Sequence, residues 1–264
     1  MLWIGGPPGA GKSAVASRIT RRHGLRWYAA DTRTWQHRDR ALRAGSTAAH
    51  RWEAMTPQQR WAESMPREML AMSLHSERGP MVIDDLRALP ASPLVVAEGT
   101  TLPAHALSSG IALRSRAVWL VPTREFQQAA LAARATTPGH RALYLLLSET
   151  IRQEAAEHGA RILTVDGSGG IEQTVTAVEE LFAAALAEGP RAETLAGRRA
   201  LLREANDATA AQARGFYARP WANGDAEAVV AEFRCECASP ACEASVRLPV
   251  GALRPGPALA PGHR

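Results

Sequence analysis

Lys12 is the only lysine in the chain, and it follows a short run of glycines and prolines. The stretch 6–13 reads GPPGAGKS and fits the pattern G-x-x-x-x-G-K-[ST]. Its glycines let backbone N–H groups turn inward around a phosphate without a clash from a Cβ atom. The lysine then reaches the terminal phosphates, and the hydroxyl of Ser13 can ligate Mg²⁺. These residues predict a binding site for a nucleoside triphosphate, ATP, together with Mg²⁺.

Every other one of the 31 lysine and arginine residues is an arginine. The wide, planar guanidinium of arginine fits poorly in a loop that closes around a compact ammonium. A lysine kept at this one position therefore indicates that the chemistry of the loop requires it. We predict that the nucleotide is bound by the loop and the start of the next helix: Gly6, Pro8, Gly9, Ala10, Gly11, Lys12, Ser13 and Ala14.

Two acidic residues directly follow apolar stretches that we interpret as strands. Asp31 comes after residues 25–30, and Glu98 comes after residues 94–97. Ligands of open α/β sheets bind at the carboxyl ends of the strands, so both acids are candidates for a catalytic site. The alternative role for Asp31 is to cap the helix that follows it.

The pair Asp84 and Asp85 is the competing source of a metal-binding carboxylate. If residues 81–83 formed a strand, Asp84 would be the metal ligand in place of Glu98. We favour a helix over residues 81–89, because two aspartates lie in its middle. We favour Glu98 as the metal ligand, because the strand before it is more clearly apolar and better bounded.

The three cysteines of the chain lie close together, as Cys235, Cys237 and Cys242, with C-x-C-x₄-C spacing. Three thiolates at this spacing can share one tetrahedral Zn²⁺, and we choose His263 as the fourth ligand. Such a site would be closed and structural. The alternative is three buried, reduced cysteines that bind no metal.

Short apolar strands alternate with helical segments over residues 1–188, a pattern that predicts a five-stranded parallel sheet covered on both faces. The helical segments include residues 124–134, 141–158 and 171–188. The pair Gly189-Pro190 breaks the last of these, and the composition changes there. We therefore predict an α/β nucleotide-binding domain over residues 1–188 and a small C-terminal α+β, cysteine-rich domain over residues 189–264.

The stretch 5–12, GGPPGAGK, resembles the phosphate loop of adenylate kinase and related small P-loop kinases. This resemblance implies a P-loop kinase-like fold, with a helical substrate-binding region after the second strand and an arginine-bearing lid. It implies that Asp31 contacts the acceptor or acts as a base, and that the lid supplies Arg134 and Arg141. It also implies that the loop over residues 166–170 holds the adenine ring.

The run Val-Val-Ala-Glu-Gly around Glu98 is similar to the hydrophobic-Glu-Gly motif of uridine-kinase-like enzymes, which implies a role in positioning Mg²⁺. The C-terminal segment resembles small actinobacterial modules in which such cysteines accompany a downstream Pro-Gly-His, here ending at His263.

The net charge of +5 comes from arginines scattered among acidic residues, so we expect no nucleic-acid partner. Apolar runs are shorter than the roughly 18–20 residues of a membrane span, and the start of the chain lacks the pattern of a secretory signal. We therefore expect a cytoplasmic protein without a membrane segment.

Together, these features predict an ATP-dependent kinase that phosphorylates a small molecule such as a nucleoside, nucleotide, sugar or antibiotic. One alternative is an ATP-binding regulator whose zinc-binding segment contacts a protein or RNA, and another is a nucleotide hydrolase. Residues 31–75 carry no motif that identifies the acceptor, and the oligomeric state is not readable from the sequence.

Overall fold

The computed structural model describes residues 1–101, 103–134 and 136–264. Its main sheet has five strands, β1 (Leu2–Gly5), β2 (Arg26–Ala29), β3 (Val95–Gly99), β4 (Ala117–Pro122) and β5 (Ile162–Val165). All pair in parallel, in the order β2-β3-β1-β4-β5. The central strands β1, β3 and β4 are buried along their whole length, as expected for a parallel sheet covered on both faces.

The helices are α1 (Lys12–His23), α2 (Thr34–Arg43), α3 (Thr47–Ala54), α4 (Pro66–Met72), α5 (His75–Ala88), α6 (Pro103–Ser108), α7 (Arg124–Ala133), α8 (Pro138–Glu157), α9 (Gly170–Leu181), α10 (Ala183–Glu188) and α11 (Leu195–Tyr217). A short 3₁₀ turn, Ala30–Arg33, joins β2 to α2. Among the helices that the structure describes, none combines the length and apolar composition of a membrane-spanning segment.

The alternation of side chains along β1 divides the core into two layers. Leu2 and Ile4 pack with apolar residues of α1 and α9 on one face of the sheet. Trp3 points to the other face, where it packs with residues of α5, α6 and α8. The sheet and the helices on its two faces therefore form a three-layer α/β structure. The carboxyl ends of the strands lie at one edge of the sheet.

Two predicted segments can be compared directly with the structure. Residues 81–89 fall almost entirely in α5, so the preference for a helix there is confirmed. Residues 171–188 were predicted as one helix, but they form α9 and α10, which are separated at the buried Phe182. Phe182 has φ −104° and ψ 7°, which interrupts the regular helix.

The C-terminal part contains an antiparallel hairpin of β6 (Val230–Arg234) and β7 (Ser245–Pro249). We call residues 230–264, which hold this hairpin and the cysteines, the cysteine module. Helix α11 packs against both β6 and β2, and the Leu94 N–H donates to the carbonyl of Pro190 at 2.7 Å. The predicted α/β fold class is confirmed, and the division of the chain at residue 188 stays a prediction.

Candidate functional site

The loop between β1 and α1 turns at three glycines with positive φ angles. These angles are 139° at Gly6, 87° at Gly9 and 81° at Gly11. A Cβ atom at Gly6 would lie 2.2 Å from the carbonyl oxygen of Leu120, so a larger residue would displace the neighbouring strand. The loop delivers the chain to the start of α1, where the first backbone N–H groups have no partner within the helix and can bind an anion.

Lys12 begins α1 and is only 5% exposed. Its Nζ donates to the carbonyl of Pro7 at 3.1 Å, so the ammonium lies over the loop. The loop is also held from outside, because Gln127 Nε2 donates to the carbonyl of Pro8 at 2.8 Å and Ser148 Oγ donates to Gln127 Oε1 at 2.8 Å. Sequence reasoning missed these two residues of α7 and α8, and no local pattern marks them.

Glu98 lies at the carboxyl end of β3 and is 1% exposed. Ser13 Oγ donates to its Oε1 at 2.9 Å, and its Oε2 has no hydrogen-bond partner among the described residues. Burial raises the pKa of Glu98 to about 7, although the charge of Lys12 opposes this shift. Hydroxyl and carboxylate oxygens are ligands that Mg²⁺ prefers, and a buried carboxylate oxygen without a partner needs a cation or a donor. The pair therefore fits a Mg²⁺ ion.

The alternative acids, Asp84 and Asp85, lie within α5 and not at the end of a strand. Arg40 pairs with both of them, at 3.2 Å and 2.9 Å, which holds them in the helical layer. Within the described residues, Glu98 is the carboxylate that is bonded to Ser13.

Asp31 is exposed in the 3₁₀ turn that follows β2. The N-cap position of α2 is occupied by Arg33, and no side chain makes a capping bond there, so the alternative capping role has no support. The charge on Asp31 adds to burial in raising the pKa values of Glu98 and Tyr144. Asp31 is therefore close enough to Glu98 of β3 and Tyr144 of α8 for its charge to shift the pKa of both.

Two basic side chains of α5, which the sequence analysis did not select as site residues, also lie close enough to Asp31 to be affected by its charge. Arg78 Nη2 donates to the carbonyl of Ala30 at 2.6 Å, directly beside Asp31 in the chain. His75 is 8% exposed, and its Nε2 has no hydrogen-bond partner in the described part of the chain. Burial lowers the pKa of His75 to about 4, and the charge on Asp31 opposes this shift. Neither residue is marked by a local sequence pattern, because only the fold brings α5 to the end of β2.

The two predicted lid arginines lie on either side of the connection between α7 and α8. Arg134 is exposed, and its charge opposes the rise in the pKa of Tyr144 that burial and Asp31 produce. Arg141 is half-buried in the first turn of α8, where its backbone N–H donates to the carbonyl of Thr137 at 3.0 Å. The charges of Arg134 and Asp31 thus both shift the pKa of Tyr144. Among the described residues, Arg141 has no such effect on Tyr144.

The structure brings together the four residues predicted to bind zinc. One ligand atom from each of Cys235, Cys237, Cys242 and His263 lies within 4.8 Å of the others. His263 Nδ1 is 3.3 Å from Cys235 Sγ and 3.5 Å from Cys242 Sγ. The turn between the cysteines is closed by Ala238, which has a positive φ of 63°. A Cys₃His set at this spacing fits a closed, tetrahedral zinc site.

Burial raises the pKa of the Cys237 thiol, but hydrogen bonds from the Ser239 backbone and from His263 outweigh it and lower the pKa to about 7. Burial raises the pKa of Cys242 to about 11. The thiols therefore lie in different environments although they belong to one cluster.

The cysteine module is attached to α1, the helix that begins with Lys12. Arg21 Nη2 donates to the carbonyl of Cys235 at 2.6 Å, and Arg18 pairs with Glu243 at 2.7 Å. Arg234 donates to Ser17 Oγ. The cysteine module therefore contacts α1 at three positions.

A buried carboxylate supports the module on its other side. Glu236 is 2% exposed, and it accepts bonds from Arg203 Nη2 at 2.9 Å and Asn206 Nδ2 at 2.7 Å, both in α11. Sequence reasoning missed this group, although Glu236 stands between two of the cysteines.

No family model matches this sequence, and no curated protein matches it at a significant level. Among solved structures, shikimate kinase from Acinetobacter baumannii in complex with shikimate is similar over 69% of this chain and 92% of its own. The sequence identity is 18% and the TM-score is 0.41. A similarity of this size gives no information about the ligands of this chain.

Proposed function

We propose that this chain binds Mg²⁺-ATP at the glycine loop and transfers the γ-phosphoryl group to a hydroxyl or phosphate of a small molecule. The observation that carries the proposal is the bond between Ser13 and the buried Glu98, next to the buried Lys12. A buried carboxylate with an unpartnered oxygen is costly unless it meets a cation. A loop that cradles phosphates beside such a carboxylate is suited to a nucleotide and its metal ion.

Each residue has a distinct role in this proposal. Lys12 and the loop amides hold the β- and γ-phosphates, and Ser13 with Glu98 would hold Mg²⁺. When bound, the ion would neutralise charge on the phosphates. Asp31 orients the acceptor oxygen, accepts its proton if it is a hydroxyl, and remains exposed so that an acceptor can reach it.

In the transfer, the acceptor oxygen forms a bond to the γ-phosphorus while the bond between that phosphorus and the β–γ bridging oxygen breaks, and ADP leaves. Negative charge spreads over the oxygens of the transferred group. Arg134 and Arg141 are proposed to stabilise this charge. Arg134 has the stronger support, because its charge and that of Asp31 both shift the pKa of Tyr144.

The test is ATP turnover with and without a panel of nucleosides, nucleotides, sugars and antibiotics. We expect one class of acceptor to raise turnover, and the Asp31→Asn variant to lose that increase while still binding ATP. Asp84→Asn is the matched control, since Asp84 lies in α5 and is paired with Arg40 of α2.

The other outcomes identify the alternatives. Turnover that never responds to an acceptor but requires Asp31 would indicate a hydrolase. Tight ATP binding with negligible turnover would indicate a regulator, whose C-terminal part binds a protein or RNA. Either result would contradict the proposed kinase activity without contradicting ATP binding.

We also propose that the cysteine module holds one structural Zn²⁺ through its three cysteines and His263. The four ligand atoms within 4.8 Å of one another support this, because ligand atoms this close together can surround one ion. Elemental analysis of the purified chain should find about one zinc ion per molecule. Cys237→Ser should lose it and Ser239→Ala should keep it, and a zinc-free wild type would refute the site.

A further inference from the structure

A cleft of about 600 Å³ lies between part of α1 and the cysteine module, beside the contacts that join them. One wall is the outer face of α1, including Ser13, Ala14 and Ser17, and the opposite wall is formed by residues 240–245. Ligand pockets commonly have volumes of about 300–1,000 Å³, so a molecule the size of a nucleoside fits here.

The cleft begins at the phosphate loop. Ser13 and Ala14 directly follow Lys12, and the first intrahelical bond of α1 is made by the N–H of Val15 to the carbonyl of Gly11 at 3.0 Å. The backbone N–H groups of Ser13 and Ala14 are therefore among the helix donors without an intrahelical acceptor, which serve phosphates. A nucleotide held by these amides has its phosphates at the entrance of the cleft.

The polar groups of the cleft suit a nucleoside. Thr209 contributes a hydroxyl, Glu232 and Glu243 contribute carboxylates, and four arginines also line the cleft: Arg18, Arg21, Arg22 and Arg234. Carboxylates can accept hydrogen bonds from ribose hydroxyls and from amino groups of a base. The arginines already have protein partners, and Glu243 is one of these partners, because it pairs with Arg18 at 2.7 Å. The acceptors for a ribose are therefore Glu232 and the hydroxyl of Thr209.

The loop over residues 166–170 offers a base less enclosure. All five of its residues are exposed, and Asp166 Oδ1 is bonded within the loop to the N–H of Ser168 at 2.9 Å. An aromatic base gains most when both its faces are removed from water. The cleft provides walls on two sides, whereas the exposed loop does not.

We infer that the nucleoside half of the bound nucleotide lies in this cleft, so that the cysteine module forms one wall of the nucleotide site. The inference rests on the proposed function, because it assumes that the loop binds the phosphates. The cysteine module then contributes to the choice of nucleotide, and not only to the stability of the chain.

The experiment separates the two halves of the ligand by titrating the full chain with Mg²⁺-ATP and with Mg²⁺-tripolyphosphate, which lacks a nucleoside. Ala241→Trp and Ser245→Trp each place a large ring on the wall of the cleft. We expect ATP to bind about tenfold more weakly to both, and tripolyphosphate to bind within about twofold of wild type. Ser245→Trp covers the case in which Ala241→Trp disturbs the adjacent Cys242.

One matched variant serves as a control, and a second tests the competing placement of the base in the loop after β5. Ala228→Trp adds the same ring to an exposed position outside the cleft, and Ser168→Trp adds it to the loop after β5. Both should leave the affinities for ATP and tripolyphosphate unchanged.

Unchanged ATP affinity in both cleft variants would overturn the inference, as would a loss confined to Ser168→Trp. If wild type binds neither ATP nor tripolyphosphate, the proposed function itself fails. If wild type binds both and the two cleft variants also bind both with wild-type affinity, the proposed function stands and the placement of the nucleoside is wrong.

Discussion

The phosphate loop and the cysteine module collect their ligand atoms in different ways. The loop is one continuous stretch, residues 6–13, and much of its binding capacity lies in backbone N–H groups. The cysteine cluster joins side chains of residues 235–242 to His263, which is brought back by the chain after β7. The sequence predicts both sets of ligands, but the loop forms within one stretch, whereas the cluster forms only when the fold brings His263 back to the cysteines.

The two regions are nevertheless connected through α1. This helix begins at Lys12 and carries Arg18 and Arg21, which contact the cysteine module. The module and the loop therefore contact the same helix. The four predictions below test how far the loop depends on its own residues and how far on such distant contacts.

The largest effect is expected at Lys12. Lys12→Ala removes the ammonium from the terminal phosphates, and ATP affinity should fall roughly hundredfold, or about 3 kcal/mol. Lys12→Arg should also bind poorly, because the guanidinium does not fit the closed loop. Calorimetric titration measures both variants, and wild-type affinity in Lys12→Arg would contradict the claim that the loop requires lysine.

The next effect tests the connection between the two regions. Arg21→Met leaves the carbonyls of Cys235 and Ser239 without their donor at a buried position, and the free energy of unfolding should fall by about 2 kcal/mol. Arg22→Met is the control on the same helix, because Arg22 makes partly exposed ion pairs with Glu172 and Glu179 and should cost less than about 1 kcal/mol. Equal losses in urea unfolding would show that Arg21 does not anchor the module.

The same contrast explains what the sequence could and could not reveal. Strands such as residues 94–97 and 117–121 are uninterrupted apolar runs, so their place in a buried sheet was predictable. The choice of Glu98 over Asp84 followed from the same reasoning, since the aspartate lies in a helix. The division of residues 171–188 at Phe182 was missed, because apolar periodicity continues across the break.

Contacts between distant segments were not readable. Arg78 reaches the carbonyl of Ala30 across 48 positions, and Arg21 reaches Cys235 across 214. In a chain whose basic residues are nearly all arginines, no single arginine stands out by type. The hairpin of β6 and β7 was not located either, because short half-exposed strands next to turn residues give a weak pattern.

A smaller effect is expected when Glu98 is changed to Gln. The amide keeps the shape of the side chain but loses the charge that would attract Mg²⁺. In wild type, Mg²⁺ should strengthen ATP binding, and in Glu98→Gln this gain should shrink by about tenfold, or 1.4 kcal/mol. Titrations of ATP with and without Mg²⁺ measure the gain. Asp85→Asn is the control, and an equal gain in wild type and Glu98→Gln would remove Glu98 from the metal site.

The smallest effect is expected at Gln127, and it tests whether the phosphate loop depends on its contact with α7. Gln127→Ala removes the donor to the carbonyl of Pro8 and the acceptor of Ser148. Because these groups are buried or partly buried, the free energy of unfolding should fall by about 1 kcal/mol. Gln128→Ala changes the exposed neighbour in α7 and should have almost no effect.

The affinity for tripolyphosphate extends this test from stability to binding. If Gln127 holds the loop in its binding conformation, Gln127→Ala should weaken tripolyphosphate by about two- to threefold, because part of the binding energy is then used to order the loop. Unchanged affinity together with lower stability would mean that the glycines and α1 fix the loop without help. That result would make the loop a more local structure than the contact with α7 implies.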